Sequence, residues 1–119
     1  TNYDYYGLDI SQAALDQLKK LLPQSQLICA DAENPPGFLN KFDVIIFSEV
    51  LYYLNFRKIL GIYKKYLTPD GLVIISLYHK WRSGLIWWKI NKALDSLLTY
   101  KVYNKNKGIG WTIKLAKIK

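Results

Sequence analysis

The sequence of 119 residues contains no methionine, a single cysteine and a single histidine. One cysteine, Cys29, excludes an internal disulfide, so a reducing, cytoplasmic compartment is the expected location. No apolar run approaches the roughly 20 residues that a membrane-spanning helix requires, so no membrane span is expected. The lack of methionine and the start at Thr1 indicate either a processed chain or part of a longer one.

Length and hydrophobicity limit the number of domains. Half of the residues are hydrophobic, which supplies a modest core but leaves no room for a second one. The expected organisation is therefore a single domain over residues 1–119.

Acidic residues are scarce in the second half of the chain. Residues 1–60 carry five Lys/Arg and seven Asp/Glu, whereas residues 61–119 carry twelve and two, so the net charge of +8 comes from the second half. A basic half suggests an anionic partner such as RNA, a phosphorylated substrate or a membrane surface, although a solvated lysine-rich surface is the simpler interpretation. Lysines stand singly or in pairs without clustered arginine, which does not favour nucleic acid.

The apolar pattern predicts strands that alternate with helices, which is typical of a parallel α/β sheet. Strands are expected from Tyr5 to Asp9, from Gln26 to Ala30, from Lys41 or Phe42, and over Leu72–Leu77 after a turn at Thr68–Gly71. The helices expected between them begin at Ser11, cover residues 55–67, and extend over residues 83–98. That last helix contains Trp87 and Trp88, at least one of them partly exposed. An antiparallel hairpin of Thr99–Tyr103 and Gly110–Ile118 is expected at the end.

The stretch Lys41–Leu54 predicts a strand that is buried on both faces. It is apolar without two-residue alternation from Val44 to Phe47, and it passes into a helix after Ser48 and Glu49. In open α/β sheets, ligands bind beyond the carboxyl ends of the strands. A ligand is therefore expected near Ser48 and Glu49.

Three carboxylates follow three predicted strands: Asp9, Asp31 and Glu49. A carboxylate in that position can accept hydrogen bonds from the hydroxyl groups of a ribose or from an amine. It can equally accept free backbone N–H groups of a turn or a helix N-terminus. Their occurrence at successive strand ends favours a shared ligand site.

The segments GLDIS, ADAE, FDVIIFSEVLYYL and LTPDGLVIIS resemble, in order and spacing, the class I S-adenosylmethionine-dependent methyltransferases. SEVLYYL is also similar to the N-methyltransferases of the nodulation protein S type. The resemblance implies a Rossmann-like α/β sheet with helices on both faces and a C-terminal antiparallel hairpin. It also implies S-adenosylmethionine as the cofactor and a small-molecule methyl acceptor.

The resemblance also assigns residues to the cofactor. It implies that Asp9, with Ile10 beside it, binds the ribose, and that Asp31 and the Ala32 backbone bind the adenine. Ser48 and Glu49 are implied to line the methionine and substrate side.

Two residues are candidates for catalysis. Tyr53 stands where many members of the family have a histidine, and a phenol with a pKa near 10 positions a substrate better than it removes a proton. His79 follows the last parallel strand, where it would serve as a base or lie solvated in a loop.

The family's first strand and its E-x-G-x-G turn have no counterpart in this chain. The family's sheet places that strand between those ending at Asp9 and Ser48, so the chain is expected to leave a gap, to pair these strands directly, or to receive a strand from an N-terminal segment or a second chain. The isolated chain is expected to bind the cofactor weakly or not at all. The alternative hypothesis is a noncatalytic, methyltransferase-like module that binds nucleic acid or an acidic partner.

Overall fold

The computed structural model describes residues 3–52, 54–79 and 83–119. They divide into two compact units, residues 1–37 and residues 38–119. Each unit has its own sheet.

The first unit is a strand, helix, strand arrangement. Strand β1 (Tyr6–Asp9) and strand β2 (Gln26–Cys29) pair in parallel, and helix α1 (Gln12–Leu21) connects them. The Ser11 hydroxyl accepts the backbone N–H of Ala14, so Ser11 is the N-cap expected from the sequence. This connection brings the carboxyl ends of β1 and β2 to the same edge of their sheet.

The second unit is a four-stranded sheet with two helices. Its elements are β3 (Phe42–Ser48), α2 (Phe56–Lys64), β4 (Leu67–Tyr78), α3 (Ser83–Asn91), β5 (Leu94–Asn104) and β6 (Ile109–Ile118). The strand order is β3-β4-β6-β5, with β3 and β4 parallel and the other two pairs antiparallel. The predicted α/β class and the C-terminal antiparallel hairpin are confirmed.

The core of the second unit lies on one face of its sheet. Alternate residues of β4 (Val73, Ile75 and Leu77) are fully buried, as are Ile59 of α2 and Ile90 of α3. The two helices therefore supply the apolar side chains that cover this face.

The expectation that β3 is buried on both faces is wrong for the described residues. Phe47 is buried against Tyr63 of α2, with the two rings edge to face at 5.5 Å, but Val44 is 46% and Ile46 61% exposed. These two side chains alternate with Phe47 along the strand, so they lie on the opposite face. The helices of this unit cover only the face that carries Phe47.

Two predicted boundaries are also wrong. Thr68–Gly71 is part of β4 instead of a separate turn, because Phe42 pairs with Leu67 and Val44 with Leu72, and the surplus residues of β4 form an irregularity in the ladder. Helix α3 ends at Asn91, and the residues from Leu94 onward pair with β6. Of the two tryptophans on α3, Trp87 is buried and Trp88 is 58% exposed, as expected.

The single-domain organisation stays a prediction. Within the described ranges, none of the helices has the length and apolar character to span a membrane.

Candidate functional site

In the first unit, two of the predicted carboxylates lie at the same end of the sheet. Asp9 is the last residue of β1 and pairs with Cys29 at the end of β2, and the Ala30 N–H donates to the Asp9 carbonyl at 3.1 Å. Asp31 follows Ala30 directly. The parallel register thus carries both carboxylates to the edge where ligands bind in open α/β sheets.

Each of these carboxylates uses one oxygen for its own backbone. Asp9 Oδ1 accepts the Ser11 N–H at 2.8 Å, and Asp31 Oδ1 accepts the Glu33 N–H at 2.8 Å. Both are local turns in which a side chain bonds the backbone two residues further on. Within the described residues, Oδ2 of Asp9 and of Asp31 has no hydrogen bond, and both residues are exposed. Each side chain therefore keeps one acceptor oxygen for a ligand.

Asp9 borders a small cavity. A cavity of about 200 Å³ is bordered by Asp9 together with Leu8 and the first turns of α1, and Ile10 beside it is 75% exposed. Ala32 is half-buried after Asp31. Carboxylate oxygens beside an exposed aliphatic side chain are the chemistry that a nucleoside requires, with its hydroxyl and amino donors and its flat base. The residues present in this unit therefore fit the nucleoside part of the expected cofactor.

In the second unit, Glu49 connects the ends of two neighbouring strands. Its backbone N–H donates to the Ser76 carbonyl at 3.1 Å, and its Oε2 accepts the Tyr78 N–H at 2.8 Å. Its φ of 58° lies in the left-handed region, which a non-glycine residue rarely adopts. Ser48, immediately before it, is exposed at the end of β3. Glu49 therefore fixes the carboxyl end of β3 against that of β4.

His79 contacts strand β6 through its ring and its backbone. Its Nε2 lies 2.6 Å from the Thr112 hydroxyl, and its backbone N–H donates to the Gly110 carbonyl at 2.7 Å. Thr112 is buried and belongs to β6. The expectation of a solvated loop is wrong for His79, because its ring is half-buried and contacts Thr112. Its role as a base stays a prediction, and Tyr53 lies outside the described residues.

Sequence reasoning missed the residues that hold these side chains. The Tyr52 hydroxyl donates to the Tyr78 carbonyl, and the Tyr78 N–H donates to Glu49, so the Tyr78 backbone is bonded to both side chains. Thr112 holds His79 from a strand that lies far away in the sequence. The alternation of Thr112 with Trp111 and Ile113 signalled a strand, but no sequence pattern identifies its partner across the sheet.

The predicted site residues thus form two groups. The first unit holds Asp9, Ile10, Asp31 and Ala32, and the second holds Ser48, Glu49 and His79. Among the described residues, no cluster of three or more His, Cys, Asp or Glu side chains has the arrangement to hold a metal ion.

Comparison with known proteins gives a match to a family model. The model of the family described as "Methyltransferase domain" matches residues 1–75, which is more than half of the chain. The match includes β1, β2 and most of the β3 to β4 region, with every predicted cofactor residue. No curated protein sequence matches the chain.

Solved structures with the same fold include methyltransferases. The N-methyltransferase NodS from Bradyrhizobium japonicum, in complex with S-adenosyl-l-homocysteine, aligns with a TM-score of 0.76 at 17% identity over 97% of this chain and 66% of that chain. A Burkholderia thailandensis 1,6-didemethyltoxoflavin-N1-methyltransferase aligns with 0.72 at 12% identity over 95% and 60%. An rRNA methylase from Streptococcus thermophilus aligns with 0.66 at 16% identity over 98% and 74%. The chain thus spans less than two thirds of the length of the first two.

Proposed function

This chain belongs to the methyltransferase domain family, and on that basis we propose that it transfers a methyl group from S-adenosylmethionine to a nitrogen or oxygen of a small molecule. The family carries S-adenosylmethionine as its cofactor, and two of the similar structures hold its demethylated product. The observation that supports the proposal most directly is the pair of carboxylates, Asp9 and Asp31, at the ends of parallel neighbouring strands.

We propose that the first unit holds the nucleoside part of the cofactor. The free oxygen of Asp9 would accept the ribose hydroxyls, and that of Asp31 would accept the amino group of the adenine. Ile10 and the Ala32 backbone would border the base. The local turns keep both carboxylates oriented before a ligand arrives, so little side-chain entropy is lost on binding.

The second unit would orient the reacting groups. The cofactor, when bound, supplies a methyl group on a positively charged sulfur, which a nucleophile displaces directly. The protein therefore has to hold a nucleophile in line, and orientation of this kind can supply about 7 to 11 kcal/mol. Ser48 and Glu49 would line that side, with Glu49 held by its bond to Tyr78. Tyr53 would position the acceptor, and His79, held by Thr112, would remove its proton.

Cofactor binding is tested by changing Asp9 to Asn. The amide oxygen still accepts the Ser11 N–H, so the turn stays intact while the negative charge is lost. A hydrogen bond to a charged group contributes about 1.5 to 3 kcal/mol, so affinity for S-adenosylhomocysteine should fall about tenfold or more. Titrations followed by NMR would measure it, because weak binding stays detectable by that method.

The matched control is Asp4→Asn, which makes the same change of charge just before β1, away from its carboxyl end. We expect its affinity to stay within about twofold of the unchanged chain, since distant exposed charges are screened. Equal affinities of Asp9→Asn and the unchanged chain would remove Asp9 from the site.

We propose a small-molecule acceptor because two of the similar enzymes are described as N-methyltransferases, one of them with bound 1,6-didemethyltoxoflavin. The rRNA methylase among the similar structures makes RNA the alternative to exclude. Labelled S-adenosylmethionine incubated with the chain and either low-molecular-weight metabolites or total RNA separates the two. Label that appears only in RNA would contradict the proposal.

We also propose that a strand from an N-terminal segment or a second chain covers the free edge of β3. In the described residues β3 pairs with β4 on one side only, and Val44 and Ile46 are exposed beside that edge. An apolar, unpaired edge readily accepts another strand. Light scattering should therefore show that the chain self-associates. Ile46→Lys should reduce this self-association, whereas Leu98→Lys on β5, at the other edge of the sheet, should leave it unchanged. A chain that stays monomeric at high concentration would contradict an edge that needs a partner.

A further inference from the structure

A groove lies in the second unit between α2 and α3, away from every residue assigned above. Its volume is about 370 Å³, and its floor is apolar, with Leu60 of α2 almost fully buried. Phe56 borders it at the start of α2, and Ile118 borders it at the end of β6. The helix α3 contributes its last turn and the residues that follow.

The rim of this groove is cationic. Five of the ten residues that border it are basic and none is acidic: Arg57, Lys64, Lys89, Lys92 and Lys119. Two of these side chains contact a neutral group. Lys64 Nζ donates to the Lys119 carbonyl, and Lys92 Nζ lies 3.7 Å from the centroid of the Trp88 ring. Five like charges around one apolar groove repel each other, and an anion on the rim would relieve that repulsion.

The outward face of α3 adds apolar side chains to the same surface. Leu85 is 54% and Trp88 58% exposed, and each stands one helical turn before a lysine of the rim, Lys89 or Lys92. Trp87, the neighbour of Trp88, is buried against the sheet, so the helix is anchored on its other side. Leu85 and Trp88 therefore project next to the cations from a fixed helix.

We propose that this surface, formed by the groove rim and by Leu85 and Trp88, docks on an anionic phospholipid membrane. Lysines near an anionic bilayer are each attracted to it, and tryptophan prefers the level of the lipid headgroups. The exposed leucine on a convex helix face suits insertion between headgroups better than contact with a phosphate backbone. Lysine also predominates over arginine, with 15 against two in the chain, and a diffuse lysine charge suits a lipid surface more than bidentate phosphate recognition.

The proposal is independent of methyl transfer, and its test uses vesicles. The chain is mixed with vesicles of equal parts phosphatidylglycerol and phosphatidylcholine, or of phosphatidylcholine alone, and sedimented. We expect binding to the anionic vesicles only, weakened by high salt. The double variant Lys89→Glu and Lys92→Glu should lower the partition coefficient about tenfold or more.

The matched charge control is Lys105→Glu with Lys107→Glu, in the exposed turn between β5 and β6. It makes the same change in net charge and should lower the partition coefficient far less. An equal loss in both variants would show that only the overall charge matters, and would overturn the proposal.

Insertion of apolar side chains is tested by Leu85→Ala with Trp88→Ala. We expect weaker vesicle binding and unchanged retention on a heparin column, because heparin offers charge without a lipid interior. The control is Leu97→Ala with Tyr100→Ala, a similar exposed pair on β5. Weaker retention on heparin with unchanged vesicle binding would indicate a nucleic acid or acidic protein instead, and would overturn the proposal.

Discussion

The left-handed backbone at Glu49 predicts an unusual order of stabilities among three substitutions. Glu49→Ala removes the carboxylate that accepts the Tyr78 N–H but keeps a side chain on a residue with a φ of 58°. A bond of that kind contributes about 1.5 to 3 kcal/mol. Glu49→Gly loses the same bond, but glycine adopts this backbone region without steric cost, which returns about 1 kcal/mol.

Glu49→Gln should also be more stable than Glu49→Ala, since its amide oxygen still accepts the Tyr78 N–H, although without charge, and it should cost about 1 kcal/mol. Both Gln and Gly should therefore be more stable than Ala at this position. Urea unfolding followed by tryptophan fluorescence measures these stabilities, provided that the slope with urea concentration stays constant across the series.

The control is the neighbouring residue Ser48, which lies in β3 with an extended backbone. There the order should be reversed, with Ser48→Gly less stable than Ser48→Ala by about 0.5 to 1 kcal/mol, because glycine loses more chain entropy in a strand. If Glu49→Gly is no more stable than Glu49→Ala, the left-handed conformation carries no strain and the reasoning fails.

Three further predictions concern burial, charge and the cofactor. Ile75→Ala should cost about 2 to 5 kcal/mol of unfolding free energy because Ile75 is fully buried. Ile46→Ala should cost less than about 1 kcal/mol because Ile46 is 61% exposed. Equal costs in urea unfolding would mean that Ile46 is covered. Burial, and secondarily the charge of Lys101, lower the pKa of Lys114. The folded chain therefore releases this proton at a lower pH than the unfolded chain does. As a result, the folded chain gains stability as the pH rises from the folded-state pKa toward 10.5. Lys114→Met should abolish that gain, which is measured by comparing the unfolding free energy of the two chains as a function of pH. An unchanged pH dependence would show that Lys114 does not cause it. Because the chain has no E-x-G-x-G turn, calorimetry should give a dissociation constant for S-adenosylmethionine weaker than about 10 μM, and tighter binding would show that the described residues suffice.

Local patterns in the sequence predicted the local structure. Ser11 was identified as a helix cap because a hydroxyl in that position accepts a free N–H of the first turn, and the Ala14 N–H is bound as expected. The position of Asp9 and Asp31 after apolar strands predicts a shared location, and the register of β1 and β2 places them at the same end of their sheet. The membership in the methyltransferase family, expected from the order of four short segments, is confirmed by the family model.

Features that depend on a distant part of the chain were not predicted. Thr68–Gly71 has the residues of a turn, yet pairing with β3 incorporates it into β4. Residues 94–98 continue a helical pattern, yet Leu94 and its successors pair with β6, and tertiary pairing overrides local preference. The contact between His79 and Thr112 likewise arises only once the sheet has formed.

Strand β3 carries apolar residues on a face that the described residues leave exposed. Val44 to Phe47 are apolar on both faces, which is typical of a strand covered on both sides, but only the face with Phe47 has helices over it. If the exposed face were meant for water, polar residues should alternate with apolar ones along the strand. The apolar residues at Val44 and Ile46 are instead consistent with a covering element beyond the described residues. For this reason we expect the free edge and open face of β3 to determine whether the chain acts alone or with an added strand.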